Sequence, residues 1–197
     1  WRVLSVDGLE AFLLADKALD NKPYHAVEED VTWEKSTLRS WLNGYGASEN
    51  KQNEDYEKNN FINDAFDTAN LLAVKDSEVK NKDSLYGETE GGNDTIDRVF
   101  LLSESAVWTD AAKQYGFISN DNITTGISDE ARRAKSSVYA KAMGASGDGF
   151  SSSCYWWLRS PGLHRYYGVT VVDSGWVSWY HPHLSVNNGY AIRPALN

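Results

Sequence analysis

The residues that could do chemistry crowd into the last fifth of the chain. His181-Pro182-His183, with His164 upstream, sets two imidazoles at i and i+2, a spacing that can chelate a divalent cation. Pro182 holds a turn there, and no neighbouring carboxylate is fixed to orient the rings, so the plainer reading is two recognition side chains. Cys154 is the one cysteine. It excludes an internal disulfide and a thiolate metal cluster, and between Ser153 and Tyr155 it reads as a small apolar residue opening a buried strand. A Ser-His-Asp triad can be assembled on paper from any chain with four histidines, so it carries no weight. The acids lie in polar loops without an apolar neighbour to raise a pKa, which leaves no pair to nominate for glycoside hydrolysis. No glycine-rich phosphate loop follows a strand, and no His-Glu metal motif lies on a helix. Neither metal nor cofactor is expected.

What remains is contact chemistry. From Gly162 to Tyr190 there is a single acid, Asp173, and no Lys, in a chain with 28 acidic residues. In their place stand His164, Arg165, Tyr166, Tyr167, Trp176, Ser178, Trp179, Tyr180, His181, His183, Asn187 and Asn188. Tyr, Trp, Arg, Ser and Asn build binding surfaces, giving rigid amphipathic area together with adaptable hydrogen bonds. The competing reading is a partly buried aromatic sheet in a lysine-poor core.

The elements that would position these residues are legible on both sides. Trp156-Trp157-Leu158 supplies a large apolar payload and Pro161-Gly162 a turn. Ala191-Ile192 returns to the core before Pro194 ends the strand. Between them Gly168 to Val172 reads as a strand, Asp173-Ser174-Gly175 as a hairpin turn, and Trp176 to Tyr180 as its return. Val177 fits the inward face of that return; Trp176, Ser178 and the run from Tyr180 to His183 then fall outward.

Upstream, Trp1 to Val6 and Glu10 to Leu14 form a hairpin about Asp7-Gly8-Leu9. Asp16 to His25 is expected to be loop, Pro23 barring helix. Ser36 caps a short helix that packs Leu38, Trp41 and Leu42 on one face and stops at Gly44. A polar stretch from Ala47 to Asn60 leads to a helix with Phe61, Ile62, Ala65 and Phe66 on its apolar face. Leu71 to Val74 is expected to be a short strand, and Asp76 to Asp94 a solvated loop whose acids lack calcium-site spacing. Arg98 to Leu102 reads as a central strand. Glu104 to Tyr115 reads as a helix capped by Ser103, and Ser128 to Met143 as another, with Arg132, Arg133 and Lys135 on its exposed edge. Ala145 to Ser153 is a Gly/Ser-rich lead into the framework.

A net charge of −9 and a pI near 4.9 argue against nucleic acid or an anionic membrane as partner. No apolar run approaches a membrane span and no signal-peptide pattern is present. Opening directly on a strand, the chain is expected to be a domain excised from a longer protein, with any export signal or anchor outside it.

Five blocks in order along the chain carry a resemblance: Trp1 to Leu4, Trp33 to Asn43, Val99 to Ser103, Trp156 to Gly162, and Arg193 to Leu196. They resemble a bacterial domain family of C-type-lectin-like fold, distantly similar to the formylglycine-generating enzymes, which contains targets of diversity-generating retroelements. The resemblance implies an α+β domain over 1–197 with a twisted antiparallel sheet, flanking helices and long loops. It also implies a variable segment, 156–197, diversified by adenine-directed mutagenesis toward Asn, Tyr, His, Asp and Ser. The expected function is display of a surface that binds a protein or glycan ligand on another cell or phage, at a cell surface, outside the cell or on a virion. Two readings stand against it: an enzyme of the formylglycine-generating kind, weakened by the lone Cys154, and a purely structural domain.

Overall fold

Short strands joined by turns and capped by short helices are what this punctuation of Gly, Ser and Asn produces, and the computed structural model has that form over residues 1–119, 128–147, 152–180 and 184–197. In chain order the elements are β1 (Arg2–Asp7), β2 (Glu10–Leu14), β3 (Asp20–Pro23), α1 (Thr37–Asn43), α2 (Phe61–Ala65), α3 (Thr68–Leu71), β4 (Ser77–Val79), β5 (Thr95–Asp97) and α4 (Glu104–Trp108). There follow β6 (Ala134–Lys135), α5 (Val138–Ala142), β7 (Ser153–Cys154), β8 (Trp156–Pro161), β9 (Gly168–Val171), β10 (Val177–Ser178), β11 (Gly189–Ile192) and β12 (Ala195–Leu196). The class is α+β. A five-stranded sheet runs β10–β9–β8–β11–β3, all antiparallel except β8 with β11, and a second sheet runs β1–β2–β12. Two-stranded ladders join β4 to β5 and β6 to β7. Among the described residues no helix is long and apolar enough to cross a membrane.

The framework lies at the centre. Trp156, Trp157 and Leu158 are fully buried, and all four residues of β9 are buried with them. Trp157 stacks edge-on against Tyr24 and Tyr190, and its indole N–H donates to the Lys22 carbonyl at 3.0 Å. The first hairpin forms as read, with Gly8 at φ +59° in its turn, where a side chain would be strained. Helix α1 starts where Ser36 Oγ accepts from the Arg39 N–H at 3.1 Å and ends at Gly44, φ +71°. Ser36→Ala is expected to cost about 1–2 kcal/mol, read as a lower urea midpoint at unchanged m-value.

Five local expectations are corrected. Asp16 to His25 is not all loop: Asp20–Pro23 forms the edge strand β3, where proline is tolerated because it need not donate to the ladder. Leu71 to Val74 is not a strand; Asp67 caps α3, and Leu72 is left 84% exposed. Arg98 is exposed and Val99 to Leu102 buried, but among the described residues the stretch joins no ladder beyond a bridge from Phe100 to Ala195. Side chains partner several of its other backbone groups: Asn43 takes both groups of Val99, and the Arg159 guanidinium takes the Leu101 carbonyl at 2.6 Å, while the Leu102 carbonyl accepts the Arg159 backbone N–H at 3.0 Å.

Ser128 to Met143 is not one helix. It holds a 3₁₀ turn, β6 and α5, because Arg132 turns inward instead of lining a basic edge. Fully buried, it lies over the Trp108 ring and donates to the carbonyls of Gly175, Val107 and Ile118 at 2.7–2.9 Å. Arg133 and Lys135 remain exposed. The helix expected over Glu104 to Tyr115 is present in two pieces, α4 and a 3₁₀ turn, separated by extended Thr109.

Candidate functional site

Pro161 and Gly162 end β8 inside the protein, and the chain then turns outward for five residues before Gly168 begins β9. The base of this loop is closed by backbone: Gly162 N–H donates to the Tyr167 carbonyl at 2.8 Å, and Tyr167 N–H to the His164 carbonyl at 2.9 Å. A Cβ at Gly162 would stand 2.8 Å from that of Tyr167, so the crossing needs glycine. On this base Leu163, His164, Arg165 and Tyr166 are exposed and Tyr167 is half-buried. His164 stacks on Tyr166 with 5.7 Å between centroids, and Tyr167 meets both edge-on at 5.3 and 4.7 Å. The side chains thus pre-organise one another, which lowers the entropy lost on binding.

Two further segments are tied to this loop. Leu163 N–H donates to the Trp179 carbonyl at 3.0 Å, which brings exposed Tyr180 alongside. Val186 N–H donates to the Tyr166 carbonyl at 3.0 Å, and Tyr167 bridges Ser185, which places exposed Asn187 and half-buried Asn188 next in line. That second segment is braced from beneath. Ser185 Oγ donates to Glu28 Oε2 at 2.7 Å, and His25 N–H donates to the Val186 carbonyl at 2.8 Å. The His25 ring is buried; its Nδ1 accepts the Thr37 N–H at 3.2 Å, so the proton sits on Nε2 and is donated to Glu29 at 2.9 Å. Burial holds His25 neutral by lowering its pKa, while the hydrogen bond from His25, then that from Lys51, pulls the Glu29 carboxyl down to about 2.

Of the twelve residues read as a binding set, His164, Arg165, Tyr166, Tyr180 and Asn187 are exposed, and Tyr167, Trp176 and Asn188 are half-buried. Trp176 touches Tyr180 edge-on at 6.5 Å. His181 and His183 lie outside the described residues. Ser178 and Trp179 are corrected: they are 3% and 0% exposed and belong to the core. The period-two reading of Trp176 to Tyr180 assumed a sheet with one wet face, whereas β9 and β10 are covered on both. The Trp179 ring is held edge-on between Tyr86 and Trp108 at 4.7 and 5.1 Å, with its indole N–H donating to Glu104.

Glu28, His25 and Glu104 all support the loops from a distance in sequence, and no local pattern marks them. The sequence reading also missed a cleft beside Arg165, lined by Asp30, Thr32, Lys35, Lys51, Thr89 and Glu90. Cys154 is buried; burial pushes its thiol pKa up, and its sulfur donates to the Ala134 carbonyl at 3.3 Å. Among the described residues no three His, Cys, Asp or Glu side chains gather as metal ligands.

A family model described as a domain of unknown function, DUF6273, matches residues 10–197. No curated protein and no solved structure matches the chain.

Proposed function

The chain belongs to the DUF6273 family, and we propose that it is a ligand-binding display domain of C-type-lectin-like fold, its contacts made by the loop 163–167 and the neighbouring positions Tyr180 and Asn187. The observation that carries this reading is the contrast at Gly162. A framework strand buried at every position but Arg159 ends there, and a pre-stacked cluster of exposed His164 and Tyr166 with half-buried Tyr167, flanked by exposed Arg165, stands on it. A separation of that kind lets contact residues change without disturbing packing. The retroelement reading follows: the exposed positions carry His, Tyr and Asn, the residue types that adenine-directed mutagenesis favours, within a segment bounded by Trp156 and Asn197. Ligands of such a surface are a protein or a glycan on another cell or a phage, met at a cell surface. Buried, raised-pKa Cys154 supports a binder over an enzyme relying on a reactive thiol.

The test is a library randomised at His164, Arg165, Tyr166, Tyr180 and Asn187, panned on protein and glycan targets. Each exposed change is expected to cost under about 0.5 kcal/mol, so most members keep near-parental melting temperatures while selected clones acquire new specificities. A library that mostly unfolds, or yields no binders, defeats the reading. A reverse transcriptase gene beside the coding sequence, with a template repeat matching 156–197, is the genomic expectation.

A further inference from the structure

Arg165 of the aromatic loop also lines a cleft, of about 190 Å³. The cleft is set by backbone from separate parts of the chain. Val31 N–H donates to the Arg165 carbonyl at 3.3 Å, Lys51 N–H to the Lys35 carbonyl at 3.1 Å, and Thr89 Oγ1 to the Leu163 carbonyl at 3.2 Å. Lys51 is already engaged, its ammonium on the Asp30 carbonyl at 2.7 Å and Glu29 Oε2 at 3.0 Å. Lys35 and Arg165 are not: among the described residues neither side chain has a hydrogen-bond or ion-pair partner. Two uncommitted cations facing one hollow are out of character for a chain of net charge −9.

We infer that this cleft binds the carboxylate of an acidic saccharide, such as a sialic or uronic acid residue. Arg165 and Lys35 supply charge-assisted donors, and the planar guanidinium matches a carboxylate fork. The same lining carries Asp30 and Glu90 beside the hydroxyls of Thr32 and Thr89. Those acids disfavour a multiply charged phosphate ligand, yet they accept hydrogen bonds from sugar hydroxyls. A singly charged, hydroxyl-rich ring answers all of these groups at once. Next to the cleft, His164 and Tyr166 offer aromatic faces for the following sugar of the chain.

The inference rests on the binder reading of the loop, and the two fail separately. Amide NMR titrations of the protein would use 3′-sialyllactose and a hyaluronan tetrasaccharide as acidic probes, lactose as neutral control, and an acidic peptide as rival. The expected result is saturable shifts at Val31, Thr32, Thr89 and Arg165 with at least one acidic sugar, weakened by added salt. Lactose, and the variants Arg165→Gln and Lys35→Gln, should bind about tenfold more weakly or worse, with melting temperatures of the variants confirming that they fold. Response to sialyllactose alone or to the hyaluronan fragment alone identifies which acidic sugar the cleft prefers. No saturable shift at these amides, equal binding of lactose, wild-type affinity in Arg165→Gln, or tighter binding of the acidic peptide would each overturn the inference. Binders recovered from the loop library in any of those cases would leave the display reading standing.

Discussion

Replacing Asp97 by Ala is expected to lower the unfolding free energy by about 3–5 kcal/mol. Asp97 is wholly buried and gathers four donors from one region of the fold. Arg39 Nε donates to Oδ1 at 2.7 Å, and the Tyr45 hydroxyl approaches the same oxygen at 3.3 Å. Trp33 Nε1 and Thr95 Oγ1 donate to Oδ2 at 2.9 and 2.7 Å. The Arg39 guanidinium also lies 4.8 Å from the Tyr45 ring centroid, and burial, then the Asp97 charge, pushes the Tyr45 phenol up to about 12. Removing the carboxylate strands a buried guanidinium and leaves an indole N–H and a hydroxyl unpaired, each costing desolvation with no return. A second change, Arg39→Met, removes the stranded charge, so the double variant should recover a large part of the loss. Urea unfolding of the wild type, both single variants and the double closes the cycle. A loss below about 1 kcal/mol for Asp97→Ala would mean that water enters this site and the network is peripheral.

The network also shows what could be read in advance and what could not. Ser36, Gly44 and the Leu38/Leu42 stripe announce α1 because caps and helical spacing are local signals. The hairpins β1–β2 and β9–β10 announce themselves through Gly8 and Gly175, both at positive φ. Asp97 gave no sign, since its partners Trp33 and Arg39 are some sixty residues away. Arg132 misled for the same reason. A cationic residue among polar neighbours reads as surface, and only the fold brings the carbonyls of Val107, Ile118 and Gly175 around it. At the candidate site, the exposed loop 163–167 was legible from its lysine-free, aromatic composition. Which of its neighbours turn inward was not, because alternation tells two faces of a strand apart but does not say whether one of them is wet.

Trp179 is where that distinction matters most, and its removal is expected to separate scaffold from surface. Trp179→Ala deletes a fully buried indole held between Tyr86 and Trp108 and should cost about 3–5 kcal/mol, whereas Tyr166→Ala should stay within about 0.5 kcal/mol of wild type. The same substitution takes a donor from Glu104, which is 2% exposed and also accepts the Leu85 N–H at 2.8 Å. Burial pushes the Glu104 pKa up to about 7 from the usual 4.5, even though both hydrogen bonds favour the charged form. Between those two values the folded chain keeps a proton that the unfolded chain has released. The contribution of Glu104 to stability is therefore fully present below about pH 4.5 and is lost as pH rises to about 7, a fall on the order of 3 kcal/mol. Other groups titrate in this window, His25 with the opposite sign, so the quantity to measure is the difference in unfolding free energy between wild type and Glu104→Gln. That difference should decline with rising pH and level off above about pH 7. In Trp179→Phe, which keeps an aromatic ring but lacks the indole donor, the decline should move to higher pH, because the charged carboxylate has lost a hydrogen bond. A flat difference, or one that grows with pH, would show that the Glu104 carboxyl is ionised in the folded protein with its charge met by its two donors.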